Sequence, residues 1–147
     1  MKITDHFSLE ELTFSETAVR NHLENQPATA QLDNMRLLCV TMLEPIRDAF
    51  GAIRVTSCYR ALPVNRLVGS KDTSAHVDGR AADIQVATMR PLVLARAIDE
   101  LDLGFDQLIH EFGAWVHVGI APAGIAPRRQ LLTIDKQGTR PGLLEIR

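Results

Sequence analysis

The chain is sparing with the residues that mark several large protein classes. It has two cysteines, one tryptophan and one tyrosine in 147 residues. Cys39 lies inside an apolar helical pattern and Cys58 near the end of a strand-like run, and two cysteines in a chain of this size make no disulfide framework. The expectation is two reduced thiols used for packing. No run of residues approaches the roughly 20 apolar positions that span a bilayer. The opening Met1-Lys-Ile-Thr-Asp-His-Phe7 lacks the apolar core of a secretory signal peptide. No membrane association is expected, and the chain stays in the cytoplasm unless another component exports it. Sixteen Lys and Arg nearly balance eighteen Asp and Glu, giving a formal charge of -2 and a pI near 6.2. So mild a balance exerts no strong pull toward nucleic acid or anionic lipid, and no nucleic-acid partner is expected. Internal repeats and low-complexity tracts are also missing.

What remains is a chain 46% hydrophobic and 23% charged, enough apolar material for one compact domain over residues 1–147 with a core of its own. A monomer is expected. Ser8 ahead of Glu11, and Ser15 after it, mark two helix starts in a short helical apron. Pro27 and Thr29 open a long helix in which Leu32, Met35, Cys39, Met42, Leu43, Ile46 and Phe50 recur at helical spacing. Gly51 ends it, and Pro45 should bend its last turns. Ile53 to Ser57 and Ala81 to Val86 read as strands. The stretch from Ala61 to Thr73, with Pro63, Gly69 and Asp72, reads as a loop. Pro91 to Leu101 is a helix with proline in its first turn. Gln107 to Glu111 and Val116 to Ile120 form a hairpin through Phe-Gly-Ala-Trp. Arg128 to Asp135 is a candidate edge strand, and the tail after Gly138 is expected to be loosely held. This order suggests an α+β fold, a small antiparallel sheet packed with helices.

The chemistry lies in two runs, Ser74-Ala-His-Val-Asp-Gly-Arg-Ala-Ala-Asp83-Ile and Glu111-Phe-Gly-Ala-Trp-Val-His117. His76, Asp83 and His117 offer two imidazoles and one carboxylate, a suitable three-ligand shell for zinc with a fourth position left for water. Glu111 would remain uncoordinated, free to take that water's proton. Strand parity supports the grouping, because alternate residues share a face. His117 and Trp115 point the same way, and a hairpin around Gly113 brings Glu111 beside them. His110 has the opposite parity and is a decoy. The missing side chain of Gly79 lets the backbone turn tightly, so that His76 from the loop and Asp83 from the strand reach one metal. Any one of these residues alone reads better as a loop histidine, a half-buried strand histidine or a salt-bridged aspartate. As a compound pattern they favour the site.

Those residues resemble the zinc D-alanyl-D-alanine carboxypeptidase and endolysin group that shares its fold with the hedgehog signalling domain, especially its small phage and prophage members. The resemblance runs from Phe7-Ser-Leu-Glu-Glu-Leu12 through Thr56-Ser-Cys-Tyr-Arg60 and Ser74-Ala-His76 to Phe105-Asp-Gln-Leu-Ile109 and Trp115-Val-His117. It implies one zinc ion held by His76, Asp83 and His117. Many relatives carry their acidic catalytic residue three positions before the last histidine, where this chain has Ala114. The hedgehog-like arrangement has a glutamate six positions before, which Glu111 matches, so the resemblance places the base there. Arg60 matches an arginine that contacts the substrate at its scissile carbonyl or terminal carboxylate, as a guanidinium fork is suited to do. Its competing role is an ion pair with Asp83 or Asp72. Ser74 is a candidate to touch substrate or support a ligand, and Trp115 to wall the cleft, although a turn serine and a core tryptophan are the plainer readings of each.

The resemblance implies a zinc metallopeptidase that cleaves peptides of bacterial cell-wall peptidoglycan, rich in D-amino acids. A lytic enzyme held in the host cytoplasm before release, or a wall-piercing component of a virion, would fit a chain without a leader. The rival expectation is a non-catalytic domain of the same fold that keeps the metal for stability or uses the cleft for binding.

Overall fold

The computed structural model describes residues 1–146. Two short helices, α1 (Leu9–Thr13) and α2 (Glu16–Arg20), form the apron. Each is started as the sequence suggests: the Ser8 hydroxyl accepts the Glu11 N–H at 3.1 Å and the Ser15 hydroxyl accepts the Ala18 N–H at 3.2 Å. The long helix is three segments in series, α3 (Thr29–Leu38), a π turn over Cys39–Leu43 and α4 (Glu44–Phe50). Pro45 explains the π turn. Its ring would meet the carbonyl four residues earlier in a regular helix, and widening the preceding turn removes the clash, with the Glu44 N–H reaching back to the Cys39 carbonyl. The helix thus absorbs Pro45 one turn before the expected bend, and Gly51, at φ 93°, closes it.

One six-stranded sheet lies under the helices, with strands β1 (Ile53–Ser57), β2 (Ala81–Val86), β3 (Gln107–Glu111), β4 (Trp115–Gly119), β5 (Gln130–Asp135) and β6 (Gly138–Pro141) in the order β1-β2-β4-β3-β5-β6. The α+β class holds, with one departure from an all-antiparallel sheet: β3 and β5 run parallel. The chain reaches that side of β3 through the segment after Gly119, which Asp106 anchors by accepting from Arg128 at 2.7 Å and 3.1 Å while its carbonyl accepts the Gln130 N–H. Two further expectations are corrected. Leu62–Leu67 is a helix, α5, because Pro63 occupies a first-turn position where its missing N–H costs nothing. The tail is not loose: β6 pairs with β5, and the Thr133 hydroxyl donates to the Gly142 carbonyl and accepts the Leu144 N–H.

The core lies between the helices and one face of the sheet. Leu38, Met42, Leu43 and Ile46 of the long helix, with Leu94 and Ile98 of α6 (Pro91–Glu100), meet Ile84, Leu108, Val116 and Val118, all essentially without solvent exposure. Cys39 and Cys58 are buried, free thiols in this layer, and burial pushes the Cys39 thiol up to about 12, so neither is poised as a nucleophile. The opposite face of β2, β4 and β3 carries Asp83, His117 and Glu111. Packing on one face therefore fixes the other.

Gly79 joins the two layers. It has φ +72°, and a Cβ there would stand 2.7 Å from the Gln31 carbonyl oxygen and 2.9 Å from Met35 Cγ. Gly79→Ala is expected to lower stability by at least about 1–2 kcal/mol from the left-handed conformation alone, read as a lower urea midpoint. An unchanged midpoint would show that the turn after His76 tolerates a side chain.

Candidate metal centre

Three elements deliver the site. His76 sits in the turn before β2, and its backbone carbonyl accepts the Arg60 N–H at 3.1 Å, tying that turn to the segment after β1. Asp83 is in β2 and pairs in register with His117 of β4. The hairpin from β3 to β4 turns through Phe112 and Gly113, both with positive φ, and the Ala114 N–H donates to the Glu111 carbonyl. Glu111 pairs with Trp115 and Ile109 with His117, so Glu111, Trp115 and His117 share one face.

The ligand atoms converge. His76 Nε2 lies 3.3 Å and His117 Nδ1 3.1 Å from the same carboxylate oxygen, Asp83 Oδ1. Candidate ligand atoms of the three residues all fall within 4.8 Å of one another. A tetrahedral shell with bonds of about 2.0–2.1 Å spaces its ligands by about 3.3 Å, so the spacing suits zinc. Tautomers suit it too. His76 Nδ1 lies 2.6 Å from the Cys58 carbonyl and must donate to it, which leaves the Nε2 lone pair facing Asp83. A lone pair facing a carboxylate inside a buried site calls for a cation between them. Burial alone would raise the Asp83 carboxyl, but the imidazoles of His76 and His117 outweigh it and hold Asp83 well below the usual carboxylate range. The site is built for an ionised aspartate beside positive charge.

Glu111 stands beside this group rather than in it. Its Oε1 is 3.7 Å from His117 Nδ1, and its Oε2 accepts the Trp115 indole N–H at 3.1 Å. Burial and, secondarily, the charge of Asp83 push its carboxyl above the ordinary glutamate value. A carboxylate kept out of the ligand set with a raised proton affinity has the properties of a general base.

Arg60 makes neither ion pair that competed for it: Asp72 is bound twice by Arg66, and Asp83 by the imidazoles. Its Nε is buried without a partner, while Asp83 and Glu111 are near enough to counter the lowering effect of burial on the guanidinium. The segment carrying it, just past β1, is clamped by Asn25, whose amide donates to the Thr13 and Tyr59 carbonyls and accepts the Ala61 N–H at 2.7 Å. The Ser74 hydroxyl accepts the His76 N–H at 3.3 Å, supporting the ligand turn. Trp115 is half-buried and tilted on Phe112, with ring centroids 5.6 Å apart. Sequence reasoning did not find the Cys58 carbonyl, the Asn25 clamp or the Trp115–Glu111 bond.

His110 faces the other side of the sheet, where it is 3% exposed and its Nδ1 donates to the Leu144 carbonyl at 3.0 Å. His110→Ala is expected to keep full zinc binding and lose about 1–3 kcal/mol of stability, the cost of leaving a buried partner unmade. Metal analysis and thermal unfolding of one preparation check both; loss of zinc would show the hairpin register to be wrong.

A buried pair of histidines and an aspartate on one sheet face, with a separate glutamate beside them, is the arrangement of a mononuclear zinc hydrolase. The chain belongs to the Peptidase M15 family, whose model matches residues 5–119, and it is thereby a metallopeptidase of a zinc-dependent, peptidoglycan-acting kind. The match covers His76, Asp83, Glu111 and His117 and stops before β5. A comparison with curated proteins gives no match.

Proposed function

We propose that the chain hydrolyses peptide bonds next to D-amino acids in peptidoglycan, as an endolysin of the phage or prophage type, with one zinc ion held by His76 Nε2, Asp83 and His117 Nδ1. The observation that carries this reading is the convergence of those three buried ligands beside an uncoordinated Glu111. Zinc, when bound, supplies a Lewis acid for the scissile carbonyl and acidifies water toward a pKa of about 7.

The chain's own residues supply the rest. Glu111 Oε1 takes a proton from the attacking water and passes it to the leaving amine nitrogen. The Trp115 N–H fixes the other oxygen, so the carboxylate keeps one orientation through both transfers. Arg60 presents its guanidinium to the carbonyl oxygen as negative charge develops there, or to a substrate carboxylate. Ser74 and Trp115 border the bound peptide. A non-catalytic domain has no need for a glutamate held out of the ligand set with raised proton affinity, so the arrangement favours the enzyme. The test is mass spectrometry of purified peptidoglycan incubated with the zinc-loaded protein. New amine termini in the peptides are expected; an unaltered digest would overturn the proposal.

A further inference from the structure

β1 is an edge strand of the sheet, and along it the metal triad opens onto a groove of about 570 Å³. Arg54, Ser57 and Arg60 wall one side of this groove, and Thr17 and Arg20 of α2 wall the other. Register decides which side chains of β1 reach the site. Ile53 and Val55 pair with Val86 and Ile84 and pack in the core, while Arg54, between them, pairs with Gln85. Directly opposed residues share a face, and Gln85 lies two positions from Asp83 on β2, so Arg54 stands on the face that carries the triad. A bulge between Val55 and Ser57 then brings Ser57 opposite Asp83 on that same face. Two strand positions amount to about 7 Å, roughly the span of two residues of an extended peptide.

The charge of this groove has no counterpart in the fold. Elsewhere Arg66, Arg80 and Arg128 each hold an aspartate. Arg20, Arg54 and Arg60 make no ion pair among the described residues, and Glu16, which borders the same groove, pairs with none of them. The chain as a whole carries a formal charge of -2, so composition does not account for three uncompensated guanidiniums around one cavity. They repel one another, and an anion bound among them would offset that repulsion. Phe14 and Val68, 59% and 42% exposed, border the groove as well. The anion that fits therefore carries an apolar body. A carboxylate on a peptide has both parts, and a bare inorganic anion has only one.

The geometry points to a second place of substrate recognition: Arg54 and Arg20 take a carboxylate carried by the peptide a few residues from the bond that is cut, so that the enzyme selects acidic peptides. Guanidinium forks suit that group. Arg60 stays with the group at the reacting centre. The inference rests on the proposed peptidase function and narrows its substrate class, and it holds for a terminal or an internal cut alike.

The test pairs two wall-type pentapeptides that end alike in D-alanyl-D-alanine and differ in one group. The α-carboxylate of the second residue, D-glutamate, is free in one and a carboxamide in the other. The zinc-loaded protein is expected to prefer the free acid by at least about fivefold in kcat/KM, carried by KM, which two solvent-facing ion pairs together supply, and to lose much of that preference in high salt. Arg54→Gln and Arg20→Gln should each lower the ratio at least about twofold, and the double variant should bring it to about one, with zinc content and melting temperature unchanged. Equal use of both peptides by the wild type, or an undiminished preference in the double variant, would overturn the inference and leave the zinc peptidase reading intact. Cleavage of neither peptide would overturn the peptidase reading. The subsite is then still decided by calorimetry of both peptides with the zinc-loaded Glu111→Gln protein: tighter binding of the free acid is expected, and equal affinity would remove Arg54 and Arg20 from substrate recognition.

Discussion

Glu111→Gln is expected to retain zinc and the native melting temperature while lowering turnover by roughly 10²–10⁴, the range for loss of a positioned general base. The amide keeps the size of the side chain, and its oxygen can still accept the Trp115 N–H, so the hairpin loses no contact. Only the proton acceptor goes. In the zinc-free protein, Glu111 should titrate above the ordinary glutamate value, because burial, with Asp83 nearby, favours the protonated form, and that titration should be missing from the NMR spectrum of the variant. Full activity in Glu111→Gln would remove the proton shuttle from this residue, and loss of zinc would make it a ligand.

Asp83→Ala and His117→Ala should each abolish measurable zinc binding at neutral pH and, with it, activity. A three-ligand site that loses one member keeps too few bonds to hold zinc against solvent. Asp83 carries the larger consequence, since Oδ1 is the atom both imidazoles approach. Without it, His76 and His117 face each other, ring centroids 5.1 Å apart, and the one carboxylate left beside them is Glu111, which is outside the ligand set. Equilibrium dialysis with zinc against the His110→Ala protein as control separates metal loss from a general effect of removing a buried polar side chain. Retention of stoichiometric zinc by either triad variant would contradict the assignment.

Much of the candidate site was legible in the sequence because strand parity is a local, two-residue rule. It put Glu111, Trp115 and His117 on one face and His110 on the other, as the register shows. Gly79 was legible for a similar reason: the turn needs a positive φ that few other residues adopt. What stayed hidden depends on groups without a sequence signature. The Cys58 carbonyl that sets the His76 tautomer is backbone, and any residue type would supply it. The Trp115–Glu111 bond and the Asn25 clamp join residues whose contact exists only once strands and apron are in place. Pro63 and Gly69 disguised α5, since a first-turn proline and a turn proline look alike in one sequence. The parallel pairing of β5 with β3 and the attachment of β6 rest on long-range contacts made by the Asp106–Arg128 anchor and Thr133, which no local periodicity reveals.

On the proposed function, one zinc ion in the His76, Asp83 and His117 site drives cleavage of peptidoglycan peptides. The most direct measurement follows hydrolysis of a purified wall digest by the protein as prepared, after removal of metal with a strong chelator, and after stepwise return of zinc. Activity should disappear with the metal and return in proportion to added zinc, with the break at about one ion per chain. Hydrolysis that persists in the metal-free protein, or a fully zinc-loaded protein that cleaves nothing in the wall digest, would contradict it.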